Sequence, residues 1–233
     1  MSETMTMGEC YGRAMAATAK LVSGIGPGQW HDPTPCTEWD LRVLVNHITY
    51  ENLWGAELFP GKTMAEVGDR FDGDVLGDDP IGAFNRSVEA ATAASTAPGV
   101  MDAVCHLSFG DVPGSEYAKQ LFADILIHGW DVAKASSQDA AMDAALVDVG
   151  LPLAEEAMSQ AEGSGAFAAR VPVPDGAPAQ TRLLAFVGRR ADWASPSPAP
   201  RRGTRPRPRR RRGATRRRRP RGRGGRGPQR PRP

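Results

Sequence analysis

The stretch LFADILIHGWDVAKA, residues 121–135, decides the fold, because its apolar residues recur at the spacing of an amphipathic helix. At 100° per residue, Leu121 and Ile125 share one face with Asp124 and His128. We expect that face to be buried, and both polar side chains with it. A buried carboxylate is costly unless a cation neutralises it, and no Lys or Arg lies one helical turn from Asp124 on that face.

The Asp124 and His128 pair has the spacing of two ligands to one metal ion. Side chains at i and i+4 have Cβ atoms about 5 to 6 Å apart, which suits metal bonds of about 2 Å. Zinc sites in enzymes commonly take a third protein ligand and leave one position open, and His47, inside another predicted helix, is the best candidate. A second interpretation is that Asp124 and His128 bond to each other, with His47 a core histidine beside Asn46 or Glu51.

The rest of the chain is predicted to be mostly helical, with Gly and Pro separating the helices. The predicted helices span about 4–22, 38–59, 83–96, 113–135 and 140–161, with a short closing helix through 182–187. Residues 61–80 predict a loop, 100–109 a weakly strand-like piece and 110–114 a turn. Thr37, three residues before Asp40, predicts a variant capping box. The fold class expected is all-α, a helical bundle with extra short helices.

Charge divides the chain into a predicted globular domain, residues 1–194, and a tail, residues 195–233. The tail contains 17 of the 29 basic residues and none of the 27 acidic ones, so the domain is strongly acidic. Rich in Arg, Pro and Gly, the tail has little to bury and is predicted to be disordered. Two origins stay open: a shifted reading frame in GC-rich DNA, or a genuine tail that binds nucleic acid through phosphates.

The cysteines and the apolar segments indicate a cytoplasmic protein. Cys10, Cys36 and Cys105 are far apart and odd in number, which argues against a disulfide framework. We find neither a signal-peptide core nor an apolar run long enough to span a membrane. Cys36, just before a predicted helix, is either a nucleophile favoured by the helix N-terminus or, as we expect, a small buried residue.

Several motifs together resemble a known family. CTEWDLRVLVNHI, residues 36–48, and LFADILIHGWDVAKA are joined by PTPCTEW, SFGDVPG and LLAFVGR. They resemble the actinobacterial branch of the DinB-like metal-binding superfamily, which is similar to the N-terminal domain of mycothiol-dependent maleylpyruvate isomerase. The resemblance runs from about Met7 to Trp193.

The resemblance implies a four-helix bundle in which His47, Asp124 and His128 bind one divalent metal. Zinc is the first expectation, although nickel, iron or manganese also suit two histidines and a carboxylate. The family implies a low-molecular-weight thiol, held as a thiolate, and an electrophilic substrate. We therefore expect a mycothiol-type transferase or isomerase-like enzyme, with a non-catalytic metal-binding or regulatory module as the alternative. Asp131 is either a residue that orients a ligand or a solvent-facing cap.

Overall fold

The computed structural model describes residues 5–160 and 170–195. Its helices, in chain order, are α1 (Met7–Ser23), α2 (Leu41–Leu58), α3 (Met64–Val67), α4 (Pro80–Ser95), α5 (Gly114–Ala135), α6 (Ala144–Gln160) and α7 (Ala179–Phe186). One antiparallel hairpin joins β1 (Val104–Leu107) to β2 (Gly110–Pro113). The predicted fold class, an all-α bundle with short additional helices, is confirmed.

Helices α1, α2, α4 and α5 form the four-helix bundle. α1 packs along α5 and α2 along α4, while α1 also meets α4 and α2 meets α5. Fully buried apolar side chains from all four helices fill the core, among them Met15, Leu44, Phe84 and Phe122. The closing helices α6 and α7 pack on each other and cover the outer side of α5.

Helix α5 lies at the centre of the domain, so it is buried on more than one face. Every residue from Ile125 to Ala133 is buried, because α1 and α2 cover one side of the helix and α6 the other. Gly129 permits the close approach of α1. A Cβ atom at Gly129 would lie 2.5 Å from the hydroxyl oxygen of Thr18, well inside contact distance.

The structure corrects several local predictions. Helix α2 is capped by Asp40, whose carboxylate accepts a hydrogen bond from the Val43 amide, so the capping box at Thr37 is wrong. The prediction fails because Thr34, and not Thr37, organises the segment before α2. The Thr34 hydroxyl donates to the carbonyls of Cys36 and Trp39 and holds this segment as a turn.

The predicted loop at 61–80 is interrupted by α3, which has a capping box between Thr63 and Glu66. The predicted turn at 110–114 is strand β2, and the hairpin turn lies at residues 108–109 instead. Gly110, with φ of 136°, begins β2 in a conformation that favours glycine.

The tail predicted from residue 195 lies, beyond Ser195 itself, outside the described residues, so its disorder and its origin stay predictions. Within residues 5–160 and 170–195, none of the helices combines the length and the hydropathy needed to cross a bilayer.

Candidate metal centre

Three side chains from two bundle helices converge at one point. His47 projects from the second turn of α2, and Asp124 and His128 from successive turns of α5. Nε2 of His47 lies 3.4 Å from both carboxylate oxygens of Asp124, and Nε2 of His128 lies 3.4 Å from Oδ1. One ligand atom from each residue fits within 4.8 Å of the others. The structure thus brings together all three residues that the sequence singled out.

The spacing of these atoms matches the donor set of a metal site. A tetrahedral ion with bonds of about 2.0 to 2.2 Å holds its ligand atoms about 3.4 Å apart. Hydrogen bonds between nitrogen and oxygen are ordinarily shorter, about 2.7 to 3.2 Å. The 3.4 Å separations are therefore at the long end for direct bonding and suit a shared ion. Two imidazoles and one carboxylate also suit zinc by ligand type.

Burial differs between the two candidate ligands on α5. The side chain of His128 is only 11% exposed, as predicted, whereas that of Asp124 is 32% exposed, so the prediction that both are buried is wrong for Asp124. Asp124 owes its exposure to a cavity beside the helix, described below. An open carboxylate at a cavity wall is accessible to an ion and to a small molecule.

The pKa values of the cluster are set by competition between burial and mutual attraction. Burial alone would raise the pKa of Asp124, but hydrogen bonds with His128 and His47 outweigh it and hold that pKa well below its ordinary value. Burial alone would lower the pKa of His128, yet bonds to Asp124 and Asp131 raise it to about 9. Without a metal, His128 is therefore protonated at neutral pH and supplies the positive charge that Asp124 requires.

Asp131 forms a second layer behind His128. Its fully buried carboxylate lies 3.0 Å from Nδ1 of His128, which leaves Nε2 facing Asp124. Arg189 compensates the charge of Asp131 through two bonds, of 3.3 and 2.9 Å. Full burial of Asp131 contradicts the solvent-facing cap, and its contact with His128 favours the other interpretation, in which Asp131 orients a candidate ligand. Partners of this kind fix the tautomer of a ligating histidine.

Trp39 and Glu51 complete the surroundings of the cluster. The Trp39 ring lies 4.8 Å from the His47 ring and 5.6 Å from the His128 ring, measured between centroids. Glu51 follows His47 by one turn of α2, and burial together with the charge of Asp124 raises its pKa. In the described part of the chain the Glu51 carboxylate has neither a hydrogen bond nor an ion pair. A cation at the cluster would relieve its repulsion with Asp124.

A cavity of about 510 Å³ opens beside the cluster. It lies between α5, α6 and the segment around α7, and both Asp124 and His128 form part of its wall. Cavities of this size, with apolar walls and a few polar groups, are typical of sites for small organic molecules. The candidate centre is therefore open on one side, as a site that admits a substrate must be.

His31 and His106 lie apart from the cluster, whereas Cys36 is half-buried next to Arg189, which bonds to Asp131. His31 and His106 bond to Asp40 and Asp111 at the surface. Burial raises the pKa of the Cys36 thiol, although Arg189 opposes that rise. A thiol with a raised pKa is a poor nucleophile at neutral pH, which favours the structural interpretation of Cys36.

The sequence did not identify Trp39, Glu51 or Arg189 as parts of the site. Arg189 follows Gly188, whose φ of 73° turns the chain back toward α5 after α7 ends. A glycine stop followed at once by an arginine was the available signal, but its partner Asp131 is 58 residues away in sequence. Glu51 was visible as a carboxylate one turn beyond a candidate ligand, and Trp39 had no such signal.

Comparisons with known proteins agree on one group. Residues 11–133 match the family described as the mycothiol maleylpyruvate isomerase N-terminal domain. Two uncharacterised proteins from two strains of Mycobacterium tuberculosis are each 32% identical over 183 residues, which is 76% of this chain and 94% of each relative. The crystal structure of a histidine-to-alanine mutant of the mycothiol-dependent maleylpyruvate isomerase aligns with a TM-score of 0.52 and 14% identity, over 71% of this chain and 73% of that one. At that identity the likeness shows a shared fold.

Proposed function

The chain belongs to the mycothiol maleylpyruvate isomerase N-terminal domain family, and on that premise we propose that it is a metal-dependent enzyme handling a mycothiol-type thiol. The reaction is transfer of the thiol to an electrophile, or a thiol-assisted isomerisation. Zinc is the proposed metal, held by His47, Asp124 and His128. The cytoplasm, where such thiols stay reduced, is the proposed compartment.

The observation that carries this proposal is the position of the three-residue cluster on the wall of a cavity. Two imidazoles and a carboxylate converge within 4.8 Å, and both α5 residues face a space of about 510 Å³. A structural zinc site is closed by four protein ligands, whereas a catalytic one keeps a position for water or substrate. Three candidate ligands beside an open cavity fit the second kind.

Several side chains of the protein position the two histidines for such a site. Bound zinc lowers the pKa of a thiol that coordinates it, so that the thiol is available as a nucleophile at neutral pH. Asp131 and Arg189 keep Nε2 of His128 directed at Asp124. Trp39 packs against both imidazole rings and covers the side of the cluster toward the segment that precedes α2. The two histidines are thereby held in position before a ligand arrives.

Glu51 is suited to accept the proton that a thiol releases on binding. Burial and the charge of Asp124 raise the pKa of Glu51, so its ionised form is a stronger base than an ordinary glutamate. The proton would pass from the thiol sulfur to a Glu51 oxygen, leaving the sulfur negative and Glu51 neutral. Glu51 is the one acid or base that we propose besides the metal ligands.

The alternative is a metal-binding module without catalysis. It is favoured by the contact of His128 with Asp124, since bonds to Asp124 and Asp131 raise the pKa of His128 and a protonated His128 neutralises Asp124 without any ion. In that case the cluster would bind metal weakly or only at high pH. The two proposals differ in whether an added thiol reaches the metal.

Cobalt substitution distinguishes these proposals. We expect the Co²⁺-loaded protein to show the absorption of a low-coordinate ion, and mycothiol to add a thiolate-to-cobalt charge-transfer band in the near ultraviolet. S-methyl mycothiol, which has no ionisable thiol, should add none. A cobalt spectrum indifferent to mycothiol would support the non-catalytic module, and absence of bound cobalt would contradict both proposals.

Activity is then measured with the same thiol. Wild type loaded with zinc should accelerate the reaction of mycothiol with an electrophile such as chlorodinitrobenzene, while His47→Ala should not. His31→Ala is the matched control, because His31 is exposed and pairs with Asp40, which is not a member of the cluster. Equal rates for wild type and His47→Ala would count against a role for the cluster in that reaction.

A further inference from the structure

The cavity beside Asp124 and His128 is a groove along one face of α5. Its wall on this helix runs from Glu116 to His128, a distance of about 18 Å at the rise of an α-helix. On α6 the wall is formed at Gly150, Leu153, Ala154 and Ala157, positions that share one face. At Gly150 the two helices are in close contact, since a Cβ atom there would lie 2.6 Å from Cδ2 of Leu126. Ala154 and Ala157 are small, and the groove lies beside them.

The wall nearest the cluster is apolar. Leu126 and Ile127 from α5, Leu153 from α6, and Leu183 and Val187 from the α7 region line the groove beside His128. Contact with these side chains favours an aryl or alkyl group, because apolar surface gains by leaving water. A sugar-rich thiol, whose hydroxyl groups need hydrogen-bond partners, fits such a wall poorly.

The charged groups of the groove are already compensated. Lys119 forms an ion pair of 2.7 Å with Glu116, and Arg189 is bonded twice to Asp131. Apart from His128 in the cluster, these are the cations on the described wall, so an anionic group lying along the groove would meet no free positive side chain. Anionic ligands are therefore disfavoured relative to neutral ones.

We propose that this groove binds a neutral electrophile with an extended aryl or alkyl body, its reactive carbon placed at Asp124 and His128. Binding of the apolar body depends only on the groove, whereas the role of the ligand as the electrophile rests on the proposed function. In the transfer reaction the thiolate sulfur forms a bond to the electrophilic carbon. The electron pair of the broken bond leaves with a halide, or with an epoxide oxygen that then takes a proton from water.

The groove is tested with phenylnaphthylamine, a neutral probe that fluoresces in apolar surroundings. We expect the full-length chain to bind it with and without zinc. Styrene oxide, a neutral aromatic electrophile, should displace it, and maleate, a dicarboxylate, should not. Ala154→Trp should weaken probe binding by about tenfold or more, because an indole ring would occupy the groove.

Two further variants keep this test decisive. Ala145→Trp makes the same change on an exposed position of α6 outside the groove and should bind the probe as wild type does. Ala157→Trp, at an exposed position on the rim, replaces Ala154→Trp if the latter fails to fold. Displacement by maleate as effective as by styrene oxide, or wild-type probe affinity in both groove variants, would overturn the proposal.

Failure of the groove and failure of the proposed function give different results. In the first case, wild type binds the probe, Ala154→Trp does not, and the cobalt spectrum does not change when mycothiol is added. That result supports the binding site and contradicts only the thiol chemistry. The reverse pattern, a thiol-dependent cobalt spectrum with no probe binding, contradicts the groove and leaves the metal–thiol proposal standing.

Discussion

Metal binding at the cluster should depend steeply on pH, because a metal must displace a proton from His128. The pKa of His128 is raised to about 9 by its bonds to Asp124 and Asp131, so about one chain in a hundred has it neutral at pH 7. From about pH 6 to about pH 8 the apparent zinc affinity should rise about 90-fold from this residue alone. A histidine with the ordinary pKa would give about fourfold over the same interval.

Calorimetry measures this linkage directly. Zinc is titrated into metal-free protein near neutral pH in two buffers with different ionisation enthalpies, and the difference in observed heat gives the protons released. We expect about one proton from His128 for each zinc bound. Asp131→Asn removes one of the two carboxylates that raise the pKa of His128, and should flatten the pH dependence. Zinc affinity that is constant over this range, with no proton released, would refute the assigned state of His128.

Four other predictions concern the surroundings of the site and the packing of the bundle. Glu51→Gln should stabilise the metal-free protein against thermal unfolding. The raised pKa of Glu51 means that its ionisation, above about pH 4.5, favours the unfolded chain. The same variant should bind zinc more weakly. Co²⁺ should quench tryptophan fluorescence, and Trp39→Phe should remove most of that quenching, since this ring touches both candidate histidines. Gly129→Ala should cost about 1 to 3 kcal/mol of stability through its clash with Thr18. Gly12→Ala, on α1 with nothing within 4 Å, should instead stabilise the fold by about 0.5 to 1 kcal/mol.

The sequence predicted the helices and the candidate ligands because both depend on local spacing, whereas the four-helix arrangement followed from the resemblance to the family. The period of residues 121–135 places Asp124 and His128 on one face whatever packs against it. His47 followed from the same kind of pattern on α2. The expected burial of Asp124 failed because periodicity does not show that small residues such as Ala154 leave a cavity on that side.

Contacts between distant segments could not be predicted in the same way. The sequence left two interpretations of Asp131 open, because its partner Arg189 lies beyond α7, far away in the chain. Trp39 covers the cluster because Thr34, rather than Thr37, organises the turn before α2. Each depends on how a loop folds over the bundle, and loop geometry has no periodic signal.

Metal content tests the central claim most directly. Full-length wild type, His47→Ala and His128→Ala are purified without chelators, reconstituted with zinc, freed of excess metal and analysed by mass spectrometry. His31→Ala and His106→Ala serve as controls, since both histidines bond to surface aspartates away from the cluster. We predict about one zinc per chain in wild type and both controls, and its loss in His47→Ala and His128→Ala. No zinc in wild type, or equal zinc in all five proteins, would contradict a metal centre at His47, Asp124 and His128.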